Sequence, residues 1–197
     1  MPRSGEHARR RLQQAALELF RDQGFDRTTA AEIAARAGVT ERTFFRHFPD
    51  KREVLFGAEA EVRAALVDAV AEAPERLGPL EVLLFAFRRA GHIIESNRAF
   101  AEPRFRVIAA TPALRERDLA KHAALVDAVT EALRRRGVAV RWAGLATRVG
   151  WAAFDEAAGA WVDDPEPGMD AHLDRAFEEL RRLAAASPSP AALDGRR

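Results

Sequence analysis

The chain has 197 residues, and its 31 Lys or Arg against 30 Asp or Glu leave a formal net charge of +1. It contains no cysteine, which excludes disulfides, thiolate zinc sites and cysteine nucleophiles. The sequence shows neither an apolar run long enough to span a membrane nor an apolar signal segment, so we expect a cytoplasmic protein.

The first predicted helix covers roughly residues 6–23 and ends at Gly24. Its apolar residues recur at helical spacing: Leu12, Ala15, Ala16, Leu19 and Phe20. Residues 1–52 hold 11 Lys or Arg and 7 Asp or Glu, whereas residues 53–197 hold 20 and 23. A basic end on an acidic remainder favours a phosphate-binding surface, although the arginines at 9–11 alone could be a solvated helix face.

The most informative stretch of the sequence is TTAAEIAARAGVTERTFFRHFPDKREVL. Thr29 and Glu32 have the spacing of a capping box, in which the hydroxyl accepts from the third amide and the carboxylate reaches back. Gly38 can adopt the left-handed conformation that ends a helix, Val39 can fill the angle between two helices, and Thr40 can cap the next one. Two short helices across so tight a turn indicate a helix-turn-helix, whose second helix can enter the major groove of DNA.

The second helix of this motif is predicted at residues 41–47, with Phe44 on the core side. Its best candidates for base recognition are Arg42, Thr43 and Arg46. Arg can bind guanine O6 and N7 bidentately, and the Thr methyl can meet a thymine methyl. We therefore expect these three side chains near base edges or the flanking phosphates.

Further candidate DNA contacts surround these three residues. Glu41 could accept from cytosine, but an acidic residue at a helix start also suits the helix dipole. The remaining candidates, mostly for the sugar-phosphate backbone, are Thr28, Thr29, Thr40, Phe45, His47 and Lys51. His47 could instead pack beneath Phe48, which we expect to be core.

A third helix should follow the motif. Asp50 can cap it, and Glu53 three residues later completes a second capping box. We expect this helix to run from residue 51 to about 72 and to connect the N-terminal head with the rest of the chain.

Beyond residue 72 the pattern stays helical, and Gly or Pro marks the interruptions. The further predicted helices cover residues 80–96, 97–110, 111–136, 141–163 and 169–186. We expect Pro103 to kink or split the second of these helices. Because no strand pattern or internal repeat occurs, the predicted fold is all-α with about nine helices.

The segment IAARAGVTERTFFRHFPDKREVL resembles the DNA-binding signature of TetR-type bacterial repressors, over roughly residues 9–56. The resemblance implies a three-helix DNA-binding head and a variable helical body that holds an inducer and the dimer contacts. The implied divisions are a helix-turn-helix DNA-binding domain at 1–50, an effector-binding and dimerisation domain at 51–186, and a disordered tail at 187–197. One departure is Phe45, where the family usually has a Tyr whose hydroxyl binds a phosphate. Phe45 can offer only apolar contact, for instance to a sugar or a thymine methyl.

The last two predicted helices carry the argument for a homodimer. The final helix has one apolar stripe, made of Met169, Leu173, Ala176, Phe177, Leu180 and Leu183. The helix before it is apolar on more than one face and contains glycines that allow close packing. Both helices could simply complete the monomer core. However, one head reads few base pairs, whereas paired heads about 34 Å apart read a palindrome, so we expect a homodimer on a palindromic double-stranded operator.

The predicted effector site lies in the body, where aromatic residues could line an apolar cavity or be ordinary core. Polar residues within the apolar helices could anchor a small hydrophobic ligand there. The candidate ligand-binding residues are Phe85, His92, Phe100, Arg104, Phe105, His122, Trp151, Phe154 and Asp155. Residues 97–137, with the later WAAFDEAAGAWVDDP, are similar to regulators near mycofactocin gene clusters, which implies a fatty acyl-CoA type effector.

Three functions compete on these observations. The first is a dimeric repressor released from its operator by a small hydrophobic effector. The second is a DNA-binding regulator without such an effector, controlled by a protein partner or constitutive. The third is an enzyme, whose only acid-base or metal candidates are His92, His122, His172, Glu95, Glu116 and Asp155. No catalytic or phosphate-binding motif organises those residues, so we expect no catalytic residue, no metal and no cofactor.

Overall fold

Residues 3–185 of the computed structural model are described below, with side chains from residue 5 onward. The helices are α1 Arg3–Gln23, α2 Ala30–Arg36, α3 Glu41–His47, α4 Glu59–Glu72, α5 Pro79–Ser96, α6 Arg98–Ala110, α7 Pro112–Arg135, α8 Val140–Asp163 and α9 Met169–Ala185. Over this range the chain forms nine α-helices and no strand, which confirms the all-α prediction. The predicted tail at 187–197 lies outside the described residues.

Two apolar cores organise the helices. The first, the head core, joins α1, α2 and α3 around fully buried side chains such as Leu12, Ile33 and Phe44. The second, the body core, joins α4, α5, α7, α8 and α9 around Phe87, Trp161 and other large side chains. Fully burying one such side chain contributes about 1.5–3 kcal/mol, so each core is held mainly by these residues.

The head core extends past the predicted domain boundary at residue 50. Val54, Leu55 and Phe56 belong to it, and so do Val107 and Ile108 of α6. The helix α6 therefore packs against the DNA-binding head as well as lying beside the body. The division into domains stays a prediction, but the packing places a shared surface between the two parts.

The predicted helix from residue 51 to 72 is wrong as a single element. The chain instead forms a short 3₁₀ helix, Glu53–Phe56, which we call the junction turn, and α4 begins only at Glu59. Three successive buried residues cannot all lie on one narrow face of an α-helix, and the junction turn directs all three inward. Gly57 follows at a close approach to α1, where an added Cβ would meet the Gln13 and Arg9 side chains.

Of the two outcomes expected at Pro103, a split of the helix does not occur. The helix α6 runs through Pro103 without a break. Pro103 is the sixth of the 13 residues of α6, so the helix loses one backbone hydrogen bond at the proline nitrogen and continues past it.

Candidate DNA interface and effector cavity

The predicted capping box at the start of α2 is present. The Glu32 amide donates to Thr29 Oγ1 at 3.2 Å, and the Thr29 amide donates to Glu32 Oε2 at 2.8 Å. Hydrogen bonds from the Thr29 backbone, and then from its side chain, lower the pKa of Glu32. These local contacts therefore stabilise the first turn of the motif.

The turn between α2 and α3 has the predicted glycine geometry. Gly38 has φ +64°, a conformation that residues with a Cβ rarely adopt. The Val39 amide donates to the Ala34 carbonyl at 3.0 Å, and the Gly38 amide donates to the Ala35 carbonyl at 3.0 Å. This pair of bonds is the Schellman motif, which satisfies the last carbonyls of α2.

The helix α3 buries one face and exposes the other. Thr40 caps it by accepting from the Thr43 amide at 3.2 Å, as predicted. Phe44 is fully buried in the head core, whereas its neighbour Phe45 is 52% exposed. The exposed face also carries Arg42, and it is available to a partner molecule because the core already occupies the opposite side.

The charged residues of this exposed face lack intramolecular partners. Glu41, Arg42 and Arg46 are exposed and form no hydrogen bond or ion pair through their side chains with any other described residue. An Arg that is not engaged within its own chain is free to bind phosphate or a guanine edge. The exposed face of α3 is therefore a cationic surface with one large apolar side chain, Phe45.

Two predicted DNA contacts are used internally instead. Thr28 is buried, and its hydroxyl donates to the Gly24 carbonyl at 2.8 Å, so a phosphate contact through this side chain is corrected. Lys51 Nζ donates to the carbonyls of Phe25 at 2.8 Å and of Thr28 at 3.0 Å. It also lies 4.2 Å from the Phe25 ring centroid. Lys51 thus ties the α1–α2 connection to the segment after α3. Because its ammonium is engaged there, the predicted contact of Lys51 with a phosphate is corrected as well.

His47 packs against Phe48, which is the second of the two roles predicted for it. Its ring lies 6.4 Å from that of Phe48, and Nε2 is buried without a hydrogen-bond partner among the described residues. Burial, followed by repulsion from Arg46 and Arg9, lowers the pKa of His47. The packing therefore favours a neutral imidazole on the head core.

The body contains a cavity of about 190 Å³ beside the head. Its walls come from the junction turn, α4, α5, α6, α7 and α8. Seven of the predicted ligand-binding residues line it: Phe100, Arg104, Phe105, His122, Trp151, Phe154 and Asp155. Phe87, whose ring centroid is 5.0 Å from that of Phe154, closes the aromatic wall.

Two predicted ligand-binding residues do not line this cavity. Phe85 is partly exposed on another face of α5. His92 also lies away from the cavity, and its Nε2 is 3.1 Å from Asp170 Oδ2 on α9. Both assignments are corrected: the face of α5 that lines the cavity carries Phe87, Ala90 and Ile94.

Arg104 connects the cavity with the junction turn. Its Nε donates to the Leu55 carbonyl at 2.5 Å, and Nη2 lies 3.9 Å from Asp118 Oδ1. The guanidinium also lies 5.2 Å from the Phe56 ring centroid. Burial lowers the pKa of Arg104, and the nearby Asp118 opposes this effect.

A second connection runs through Lys121 and Glu53. Lys121 Nζ lies 3.1 Å from Glu53 Oε2 and forms a further ion pair with Glu59. Arg117 also donates to Glu53. Burial opposes the charge on Glu53, but hydrogen bonds from Arg117 and Lys121 outweigh it and lower its pKa. The predicted second capping box is therefore only half formed. The Asp50 carboxylate caps the Arg52 amide at 2.7 Å, but the Glu53 carboxylate bonds to α7 instead of reaching back.

The carboxylates at the other edge of the cavity are less well paired. Asp155 Oδ2 is 4.0 Å from His122 Nδ1, and the His122 ring lies 4.7 Å from that of Trp151. Burial raises the pKa of both Asp118 and Asp155. The sequence analysis missed Asp118 and Lys121, although their spacing from His122 places all three on one face of α7.

The comparisons with known proteins agree on one family. Residues 12–58 match the family described as bacterial regulatory proteins, tetR family. The HTH-type transcriptional regulator TcmR of Streptomyces glaucescens is 35% identical over 112 residues, which cover 54% of this chain and 50% of TcmR. These matches support a TetR-type transcriptional regulator, and the family model itself covers the DNA-binding head.

This TetR-type regulator also resembles proteins along most of its length, although it spans only about half of TcmR. MftR of Mycobacterium tuberculosis, proposed to regulate mycofactocin biosynthesis, is 25% identical over 187 residues, 90% of this chain and 94% of MftR. The crystal structure of Thermus thermophilus FadR, a TetR-family repressor in complex with lauroyl-CoA, has a TM-score of 0.56 at 29% identity. It covers 92% of this chain and 97% of FadR. The SmeT–triclosan complex, at 21% identity and a TM-score of 0.65 over 96% of each chain, shares the fold.

The two last helices of the regulator divide their apolar residues between core and surface. Met169, Leu173 and Phe177, from the stripe predicted on α9, are buried in the body core of the same chain. On α8, by contrast, Trp142 is 51% and Leu145 52% exposed. The apolar surface left for a partner therefore lies mainly on α8.

Two further features of the described residues concern membranes and metals. None of the described helices is long and apolar enough to cross a membrane. Over the same range, no group of three or more His, Asp or Glu side chains is arranged to hold a metal ion.

Proposed function

We propose that this TetR-type regulator is a dimeric repressor that leaves a palindromic operator when a small hydrophobic effector binds its body. The observation that carries the proposal is the cavity between head and body, because its basic wall residues are bonded to the junction turn. A ligand that changes those bonds would act directly on the segment that holds the DNA-binding head.

DNA recognition is assigned to the exposed face of α3. Arg42, Thr43 and Arg46 are the proposed readers of base edges and flanking phosphates, and Phe45 offers apolar contact. Thr29, Thr40 and Glu41 lie at the starts of α2 and α3, close to where a backbone phosphate would approach. Working on chromosomal DNA also implies that the regulator acts in the bacterial cytoplasm.

Dimerisation is assigned to α8 with a contribution from α9. Exposed Trp142 and Leu145 supply apolar surface of the kind that marks protein–protein contacts, and Leu183 on α9 is also exposed. A two-fold axis through such a surface would pair the two heads on one face of the DNA. In dilute solution we expect the mass of a dimer.

The effector class is supported by the cavity wall and by one relative. An aromatic and aliphatic wall with a few polar groups suits a ligand that carries a hydrocarbon chain. Thermus thermophilus FadR binds lauroyl-CoA and shares 29% identity over most of both chains. We therefore propose an acyl-type effector for this chain as well.

Release is a shift between two states of the dimer. The effector must bind more tightly to the state whose heads cannot fit the operator, since only differential affinity moves an equilibrium. Arg104 and Lys121 are the proposed coupling residues, because each lines the cavity and bonds to the junction turn. A regulator without an effector remains the second candidate, and the cavity argues against it because a regulator of that kind needs no internal space.

A retention experiment tests the proposal. Genomic fragments are passed over the immobilised full chain, and retained fragments are then challenged with lauroyl-CoA or buffer. We expect a few fragments with an inverted repeat to be retained and then released by lauroyl-CoA. Retention without release by lauroyl-CoA would support the second candidate, and retention independent of sequence would overturn the assignment of an operator.

A further inference from the structure

A second open space adjoins the effector cavity. A surface groove of about 510 Å³ runs along α1, and its walls are His7, Arg10, Arg11, Gln13, Gln14, Asn97 and Phe100. Asn97 and Phe100, at the start of α6, are also walls of the cavity. These two residues therefore form a partition with the apolar cavity on one side and the groove on the other.

The groove is basic, and no side chain among the described residues neutralises its charge. Arg10 and Arg11 are exposed and form no ion pair or side-chain hydrogen bond with another described residue, and no acidic residue lines the groove. Arg9 on the same helix differs, because it donates to the Gly57 carbonyl and lies 4.8 Å from the Phe48 ring centroid.

The cavity has the opposite character. Its cations are already engaged, Lys121 with two glutamates and Arg104 with the Leu55 carbonyl and Asp118. Its wall also contains three carboxylates, which would repel a phosphate: Glu59, Asp118 and Asp155. At about 190 Å³ it is smaller than the roughly 300–1,000 Å³ that holds a drug-sized ligand. The cavity therefore suits one apolar part of a ligand and no polyanionic part.

We propose that the cavity and the groove are two halves of one site for an acyl chain joined to a phosphate-bearing head. The acyl chain occupies the cavity, and the phosphate-bearing group passes Asn97 and Phe100 to lie on Arg10 and Arg11. The inference rests on the proposed acyl effector. It adds where the polar group of that effector binds and that this group carries phosphate. Two sources share this chemistry, an acyl-CoA thioester and a lysophospholipid with a terminal phosphate.

The position of the groove gives the head group a direct effect on DNA binding. Arg11 Nη1 lies 3.6 Å from the position of a Cβ on Gly38, the glycine of the turn before α3. A phosphate held by Arg11 is therefore placed beside the turn that orients α3. The same ligand would contact the body through its chain and the DNA-binding head through its phosphates.

Direct binding of defined ligands to the full chain tests the proposal. Lauroyl-CoA, 1-lauroylglycerol 3-phosphate, lauric acid and CoA alone are titrated by calorimetry at low and at high salt. We expect one or both phosphate-bearing lipids to bind about tenfold or more tightly than lauric acid, with an advantage that shrinks as salt rises. The preferred phosphate lipid identifies the source, and CoA alone should bind weakly because it lacks the chain.

A double substitution separates the groove from the cavity. Arg10→Gln with Arg11→Gln should remove the advantage of the phosphate-bearing lipids and leave lauric acid binding near its wild-type value. Arg21→Gln is the matched control, because Arg21 is exposed on the same helix but pairs with Asp22 outside the groove. The melting temperature of each variant should stay near that of the wild type, since all three side chains are exposed.

The outcomes distinguish this inference from the proposed function. Equal affinity of the wild type for lauric acid and for both phosphate lipids would overturn the groove and leave the acyl cavity standing. An unchanged preference in the double variant would also overturn it. Failure of every acyl ligand to bind would overturn the proposed effector and this inference together.

Discussion

The head and the body use charged residues in opposite ways. On α3 of the head, Arg42 and Arg46 are left without partners in the described part of the chain. At the body cavity, Lys121 and Arg104 are held by groups on the junction turn. An unpaired surface cation is available to a ligand from outside. A paired cation instead transmits any change at its partner, because the two groups are bonded. On the proposed function, the surface of the head therefore recognises DNA and the interior of the body senses an effector.

The largest expected effect distinguishes the buried face of α3 from its exposed face. Phe44→Ala removes a fully buried ring from the head core and should cost about 3–5 kcal/mol of unfolding free energy. Phe45→Ala is the matched control, since Phe45 is half exposed and should change stability by less than about 1 kcal/mol while weakening DNA binding. Denaturant unfolding of both variants checks this, and equal losses would contradict the assignment of the two faces.

The next effect tests the unpaired charges of the head. Arg42→Ala should weaken specific operator binding by about 1–3 kcal/mol and relax the preference at one base position. Arg36→Ala is the control, because Arg36 on α2 is engaged with Glu18 at 3.1 Å. Binding assays on the operator and on single-base variants measure the effect, and an unaltered preference would remove Arg42 from base readout.

A comparable effect on stability is expected where head and body join. Glu53→Gln removes the ion pairs with Arg117 and Lys121 and should cost about 1–3 kcal/mol near neutral pH. The pKa of Glu53 is lowered in the folded protein, so this contribution is present above its unfolded value and is lost as pH falls.

Measurement over a pH series checks both the size and the sign of the Glu53 effect. The gap between the wild type and Glu53→Gln should close as the pH falls below about 4. Glu61→Gln, an exposed change on α4, is the control and should have little effect at any pH. A gap that widens on acidification would contradict the ion-pair account.

The smallest expected effect has the opposite sign and lies at the cavity. Burial raises the pKa of Asp155, whose side chain keeps over half of its surface accessible, so solvent screens the cost of its charge. Asp155→Asn should stabilise the protein by a few tenths of a kcal/mol at neutral pH. The raised pKa makes the folded state gain relative stability on acidification, so the advantage of the variant should vanish below about pH 4. Melting temperatures across that range test this, and destabilisation at neutral pH would show that Asp155 is well paired.

Local rules were sufficient for the turn of the head. The capping box of Thr29, the left-handed Gly38 and the cap at Thr40 each depend on residues within four positions. Sequence spacing specifies such contacts directly, so the prediction of the motif is confirmed. The same rule failed at Glu53, because Arg117 and Lys121 compete for its carboxylate from far along the chain.

The residues that line the cavity could be predicted only in part from the sequence, for a related reason. The helix α5 carries apolar residues around most of its circumference, so its sequence does not tell which face meets the cavity. Phe85 and Phe87 have the same chemistry, yet only Phe87 lines the cavity. Lys51 gives a similar lesson, since three backbone carbonyls from a distant turn hold its ammonium. Tertiary packing decides both cases.

On the proposed function, the outward faces of the two α3 helices in a dimer read the two half-sites of an operator. Selection of binding sites from random-sequence duplexes with the full chain tests it most directly. The account predicts recovered duplexes that share an inverted repeat, with half-site centres separated by one helical turn or a multiple of it. Arg42→Ala should blur one position in each half. Recovery of duplexes with no common sequence, or of a single unrepeated half-site, would contradict it.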